Sequence, residues 1–380
     1  MLSVNSQLFL SLVKLGIGHN TLCTVISQEG KYPSFGEWNE IQDIALRQGL
    51  YAVVLDGIEE VRCKKAEGKF DVKIPPQELM LQWIGEVLQE YEARYKEYVK
   101  TIGEMAEFYN FHGYKMMVLK GYACSLDWPR PEHRPCGDID IWQFGKQKEA
   151  DLSVTKEKGI EIDNSHHHHT VSSWGDFSIE NHYDFINVHH HKSHIKLEKI
   201  LKELAADDSH YVEMKGGSVG DATEKVYLPS PNLHALFLMK HLMLHFSTGE
   251  ITLRQVLDWA FFVEKHGKDV DWNKMLLIYD EYHMREFFNC INAICVEELG
   301  FKTSVFPYIQ FDPSVKERVM DDILNPRFQG EKPSNILFRI VWKIRRWKAN
   351  EWKHKLCYEE SMWSAFWSGV WGHLLKPASI

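Results

Sequence analysis

The chain is poor in cysteine, with 7 among 380 residues. Cys23, Cys63, Cys124, Cys136, Cys290, Cys295 and Cys357 are scattered, odd in number and nowhere in a C-x-x-C pair. That excludes a disulfide scaffold and a zinc ribbon, and fits a reducing, cytoplasmic setting. A long uninterrupted apolar run is also missing, so no membrane-spanning helix is expected. The opening "MLSVNSQLFLSLVKLGIGHN" is broken by Lys14 and no basic region precedes it. A helix is expected there rather than a signal peptide. Positive charge is not in excess either: 44 Lys and Arg stand against 53 Asp and Glu, a net −9. Coating nucleic acid by bulk charge is thereby excluded, while a local basic site is not. No internal repeat is present, and no low-complexity tract apart from two histidine runs.

What is present is apolar: 44% of the residues, enough for a large core and too many for a disordered chain. Residues 1–112 read as helical. "WNEIQDIALRQGLYAVVLDGIEEV" has apolar residues at helical spacing, punctuated by Gly49 and Gly57. Pro75 and Pro76 open a long helix that Gly113 stops. The period then changes. "YKMMVLKG" reads as a buried strand ending in a turn, "DWPRPEHRPCG" as loop and "DIDIWQF" as a second strand. A polar helical stretch follows at 146–159. After it, Gly175-Asp176 reads as the turn of a hairpin between two alternating runs. From Pro231 onward helices return, with Ser230 as expected N-cap. The division expected is 1–112 helical, 113–230 an α/β core, and 231–380 helical. The fold class is α+β: a small mixed sheet flanked by helical regions.

Chemistry concentrates in Gly137-Asp138-Ile139-Asp140-Ile141. In a strand, side chains at i and i+2 share a face, so Asp138 and Asp140 point one way and Ile139 and Ile141 into the core. Two carboxylates so placed repel each other unless solvent or a cation offsets the repulsion. Solvation of an edge strand and Mg²⁺ binding are the two readings. Mg²⁺ takes hard oxygen ligands and few carboxylates when phosphates supply the rest. In "FSIENHYDF", Phe177 and Ile179 face one side, and Glu180 and His182 the other. Glu180 on a neighbouring strand would complete a three-acid site, and two ions there would activate a hydroxyl and steady a leaving pyrophosphate. Lys120-Gly121 ends the first strand. If "YACSL" starts a helix, its free N–H groups would cradle phosphate.

The stretch "VLKGYACSLDWPRPEHRPCGDIDIW" resembles the signature of the nucleotidyltransferase superfamily that includes DNA polymerase beta. More narrowly, the chain resembles a bacterial family of poorly characterised nucleotidyltransferases. Leu119-Lys120-Gly121, Pro129, Pro131, Arg134 and Gly137 to Ile141 carry that likeness. So do Glu180, His182, His241, His245, Leu253-Arg254, Asp258-Trp259, the segment Leu55 to Glu59 and the Pro75-Pro76 pair. One departure is Tyr122 after Gly121, where the superfamily has a small residue. The resemblance implies a polymerase beta-like core that moves a nucleoside monophosphate from an NTP, ATP by preference, to a hydroxyl on a protein, metabolite or RNA. Asp138, Asp140 and Glu180 would hold two Mg²⁺ ions, with Mn²⁺ as the alternative metal. Lys120, Gly121, Tyr122, Arg134, His182, His241, His245 and Arg254 would bind nucleotide or phosphate. The alternative readings are a pair between Lys120 and Asp138 or Asp140, and a bracing of the proline-rich loop by Arg134.

The remaining motifs carry two readings each. "HHHH" at 166–169 and "HHHKSH" at 189–194 suit polar residues near an anionic substrate better than a transition-metal site, because no third ligand stands at the usual spacing. His234 is expected to pack. Arg254 and Asp258, four apart on a helix, are expected to pair. The Trp- and Lys/Arg-rich "FRIVWKIRRWKANEWKHKL" suits helix packing, with RNA or a membrane surface as rivals. Two other classes stay open: a non-catalytic nucleotide-binding or interaction protein, and a glycosyltransferase using Asp-x-Asp to hold a nucleotide sugar.

Overall fold

The structure is a computed structural model and describes residues 2–19, 34–66, 74–189, 191–217, 223–307, 310–326, 334–364 and 367. Cys23 lies outside them. Helix α1 (Val4–Gly16) is capped by Ser3, whose side chain accepts from the Ser6 amide. Helix α2 (Phe35–Arg47) begins with a full capping box between Ser34 and Glu37. Gly49 (φ +65) turns the chain into α3 (Tyr51–Ala66). The helix foreseen after Pro75-Pro76 comes in three runs: α4 (Gln77–Glu86), a π-helical segment (Val87–Ala93) and α5 (Arg94–Phe111). Helix α1 packs against α3 so closely that a methyl group on Gly57 would stand 2.0 Å from the Leu12 carbonyl oxygen.

Next come β1 (Met117–Val118), the single turn α6 (Tyr122–Ser125), β2 (Ile139–Trp142) and α7 (Gln147–Lys158), which ends at Gly159 in a left-handed conformation. The hairpin expected at Gly175-Asp176 is formed by β3 (His169–Trp174) and β4 (Phe177–His182). Three elements were not assigned from sequence: α8 (Lys192–Leu204), β5 (Tyr211–Lys215) and β6 (Thr223–Tyr227). The strands β5 and β6 each bury only one residue, Met214 and Val226, so their alternation is faint. The six strands form one mixed sheet in the order β3-β4-β2-β1-β6-β5. Strands β4 and β2 run parallel, as do β1 and β6, and the remaining pairs are antiparallel.

The period-2 pattern explains what covers each face. Ile139, Ile141, Ile179 and Phe177 point into a cluster with Tyr98, Ile102 and Met105 of α5 and Val154 of α7. Burying each such aliphatic side chain stabilises the fold by roughly 1.5–3 kcal/mol. The opposite face carries Met117, Leu119 and Trp142, which join a larger core. That core unites α1 to α4 with the C-terminal helices α9 (Pro231–Thr248), α10 (Leu253–His266), α11 (Trp272–Glu281), α12 (Arg285–Glu297) and α13 (Pro313–Leu324). Ser230 precedes α9 as expected, but its side chain makes no capping bond.

The Trp-rich segment forms α14 (Ile336–Ala349) and α15 (Glu351–Cys357). The packing expected of it holds for α15, where Leu356 and Cys357 are buried. Along α14, Phe338, Val341 and Ile344 are exposed. No helix of the described residues is long and apolar enough to cross a membrane.

Candidate active site

Parallel pairing of β2 and β4 sets Asp140 opposite Glu180 and Trp142 opposite His182. Residues in register on neighbouring strands share a face. Asp140, Glu180 and His182 therefore project together, away from the isoleucines, toward α9. One ligand atom from each lies within 4.8 Å of the others. Asp138 precedes the strand and is exposed, outside this tight group but on the rim of the same cavity. The acid trio expected from sequence is thus redrawn: His182 occupies the third place, and Asp138 stands apart.

The cavity holds about 440 Å³. One wall is the sheet face, with Lys120, Asp140, His169, Glu180 and His182. The other is α9 and α10, with Phe237, Leu238, His241, His245 and Arg254. Phe237, His241 and His245 recur at helical spacing, and this places them on one face of α9. The structure thus brings Lys120, Gly121, Arg134, His182, His241, His245 and Arg254 to one place.

Their partners differ from expectation in several cases. Lys120 Nζ donates to Asp140 Oδ1 at 2.7 Å, the pairing alternative noted for it. Arg134 is buried and binds Asp258 through both ends of its fork, Nε to Oδ1 at 2.8 Å and Nη2 to Oδ2 at 2.9 Å. It lines the cavity but braces the proline-rich loop, the second of its two readings. Asp258 also accepts from Trp128 Nε1 at 2.9 Å. The expected Arg254–Asp258 pair does not form; Asp258 is engaged by Arg134 and Trp128 instead. Among the described residues Arg254 makes no ion pair, and its stem packs on Gly49. The Tyr122 side chain sits in the α5 cluster, not in the cavity. His234 packs against Cys124 and Phe262, as expected.

Gly121 shows why the turn after β1 needs glycine. Its φ is +44°, and a Cβ there would stand 2.3 Å from Tyr98 Oη. That hydroxyl donates to the Asp138 carbonyl at 3.0 Å and so ties the start of β2 to α5. The helix after Gly121 is a single turn, much shorter than the phosphate-cradling helix expected.

Charges in the cavity are unevenly shared. Burial opposes ionisation of Asp140, but Lys120 and His182 outweigh it and hold the carboxyl well below its ordinary range. Glu180 goes the other way. Burial, together with the Asp140 charge, pushes it up to about 7, against the pull of Lys120. Burial holds His241 and His245 below the ordinary imidazole range, helped by Lys120. His182 Nε2 meets Asp140 Oδ1 at 3.0 Å, and Nδ1 lies 3.2 Å from the Asp184 carbonyl oxygen. A carbonyl only accepts, so Nδ1 carries a proton. A ring nitrogen anchored this way is the usual support of a metal-binding histidine. Two carboxylates and an imidazole, with Glu180 resisting ionisation so long as no cation offsets its charge, fit a divalent cation.

The fold is a nucleotidyltransferase-type α+β arrangement, with a mixed sheet flanked by helices. Residues 35–300 match the family described as uncharacterised nucleotidyltransferase. The match covers well over half of the chain, and the protein belongs to that family. No curated protein and no solved structure matches the chain.

Proposed function

We propose that the protein transfers a nucleoside monophosphate from an NTP to a hydroxyl acceptor and releases pyrophosphate, with Mg²⁺ as cofactor. The observation that carries this reading is the register of Asp140 with Glu180, beside His182, in a cavity rimmed by Asp138. Those side chains would hold the metal, which supplies charge neutralisation for the triphosphate and acidifies the attacking hydroxyl. The acceptor oxygen bonds to the α-phosphorus, the α–β bridging bond breaks and pyrophosphate leaves. Glu180, at the edge of the metal site, receives the acceptor's proton. Arg254 meets phosphate charge from the helical wall. Phe237 and Leu238 supply an apolar face for a nucleobase.

The test is incubation with each α-labelled NTP, Mg²⁺ and a panel of protein, metabolite and RNA acceptors. Wild type is expected to pass label to an acceptor, and Asp138→Asn to lose that transfer by about 10²-fold or more while staying folded, since Asp138 is exposed. The Lys120–Asp140 ion pair favours a second reading, nucleotide binding without turnover, because it neutralises Asp140 without a metal. Saturable NTP binding with no transfer across the panel would establish that reading. Sugar release from a nucleotide sugar would instead establish the glycosyltransferase.

A further inference from the structure

The cavity contains a second donor set that overlaps the carboxylate set at His182 and adds two imidazoles, His168 and His169, that the nucleotidyl-transfer reading does not use. Ligand atoms of His168, His169 and His182 lie within 4.8 Å of one another. Sequence spacing conceals this trio, because the third imidazole comes from the next strand. His169 pairs directly with His182 in the β3–β4 ladder. His168 lies in the bend just before β3, outside the strand's alternation, which lets adjacent histidines reach the same side. The rings of His168 and His169 are 4.3 Å apart and those of His169 and His182 5.2 Å. His169 is 6% exposed, yet neither of its ring nitrogens has a hydrogen-bond partner. A buried imidazole without a partner is costly unless something else engages it. Glu180 supplies a fourth donor: Oε1 is 3.7 Å from His169 Nε2 and Oε2 is 3.7 Å from His182 Nε2.

We propose that His168, His169 and His182, completed by Glu180, form a binding site for a divalent transition ion of the zinc class. Three neutral nitrogen donors and one carboxylate suit Zn²⁺ or Co²⁺ and do not suit Mg²⁺, which demands oxygen. Bonds of about 2.0–2.1 Å in a tetrahedron place donors about 3.3 Å apart, so ligand atoms that lie within 4.8 Å of one another close in by at most about 1.5 Å on loading. His182 Nε2 has one lone pair and serves either this set or the carboxylate set, not both. The imidazole site is therefore an alternative to the oxygen site, with His182 and Glu180 common to both. Its existence does not depend on transfer taking place.

The experiment uses untagged protein stripped with a chelator. Co²⁺ is added and followed by its visible d–d absorption, and Zn²⁺ binding is measured by equilibrium dialysis with metal analysis. One equivalent of each ion is expected to bind wild type. His169→Gln and His168→Ala are each expected to weaken binding by about 100-fold or more, since even outer-shell partners cost 10–100-fold. The double variant His166→Ala/His189→Ala, altering two exposed histidines, is expected to bind as wild type. Circular dichroism melting establishes that each variant is folded; if His169→Gln is not, the half-buried His168→Ala decides. Failure of wild type to bind overturns the proposal. So does unchanged affinity in the ligand variants, or loss confined to the double variant, which marks adventitious binding by surface histidines. Because the readout is metal bound and not label transferred, failure here and failure of nucleotidyl transfer are separate results.

Discussion

Replacing Glu180 by Gln should make the metal-free protein more stable at pH 8 while leaving it nearly unchanged at pH 5. Glu180 titrates ordinarily at 4.5 and in the fold at about 7. Between those values the folded protein binds more protons than the unfolded chain, so stability falls as pH rises through that window. The stabilising state is the protonated one. It is fully present below the unfolded value and lost once pH passes the folded value. A shift of about 2.5 units corresponds to about 3 kcal/mol at pH 8, shrinking to about 1 kcal/mol or less at pH 5. The side chain is 24% exposed, which makes these figures upper bounds. Gln is close in shape to the protonated acid and retains a donor toward Asp140, so little packing or hydrogen bonding is lost. Urea denaturation in EDTA at both pH values gives the difference. Excess Mg²⁺ should recover part of the wild-type deficit, about 2.7 kcal/mol at 100 times the dissociation constant, and should do so much less in the Gln variant. A variant equal to or weaker than wild type at pH 8 would refute the reasoning. So would a gain as large at pH 5 as at pH 8, which would mean a packing effect rather than a titration.

The other predictions concern the scaffold of the same cavity. Gly121→Ala forces a methyl group toward Tyr98 Oη at a positive φ, and should cost about 1–3 kcal/mol by denaturant titration. Adding Tyr98→Phe should return part of that loss, because the clashing oxygen is gone; strict additivity of the two changes would argue against the contact. Asp258→Ala strands the buried Arg134 guanidinium and should cost about 3–5 kcal/mol. The double variant Arg134→Met/Asp258→Leu should lose less than the single change, and a larger loss would show that the pair is not the source.

The sheet's centre was legible because isoleucine and aspartate alternate along β2 with a two-residue period. Ile139 and Ile141 had to face one way and Asp140 the other. The hairpin at Gly175-Asp176 was legible because its turn chemistry is local. The strands β5 and β6 were not, because each buries only one residue and their neighbours on the rim are solvated. Arg134 and Asp258 each had a plausible local role in sequence. Their actual bond links positions 124 residues apart and exists only because α10 packs on the proline-rich loop.

Local spacing by itself determined that acids would sit on one face of a strand in a short α/β block between helices. It also determined that glycine had to end the strand before it. Tertiary structure alone decided which acids meet. Register between β2 and β4 set Glu180 beside Asp140, 40 residues away. It also decided that Asp140 is held by Lys120 and that α9 closes the cavity with His241 and His245. The physical reason is range. A repeat of two or 3.6 residues fixes which side a residue faces within its own element, whereas distance and charge balance between elements arise only when their apolar faces pack together.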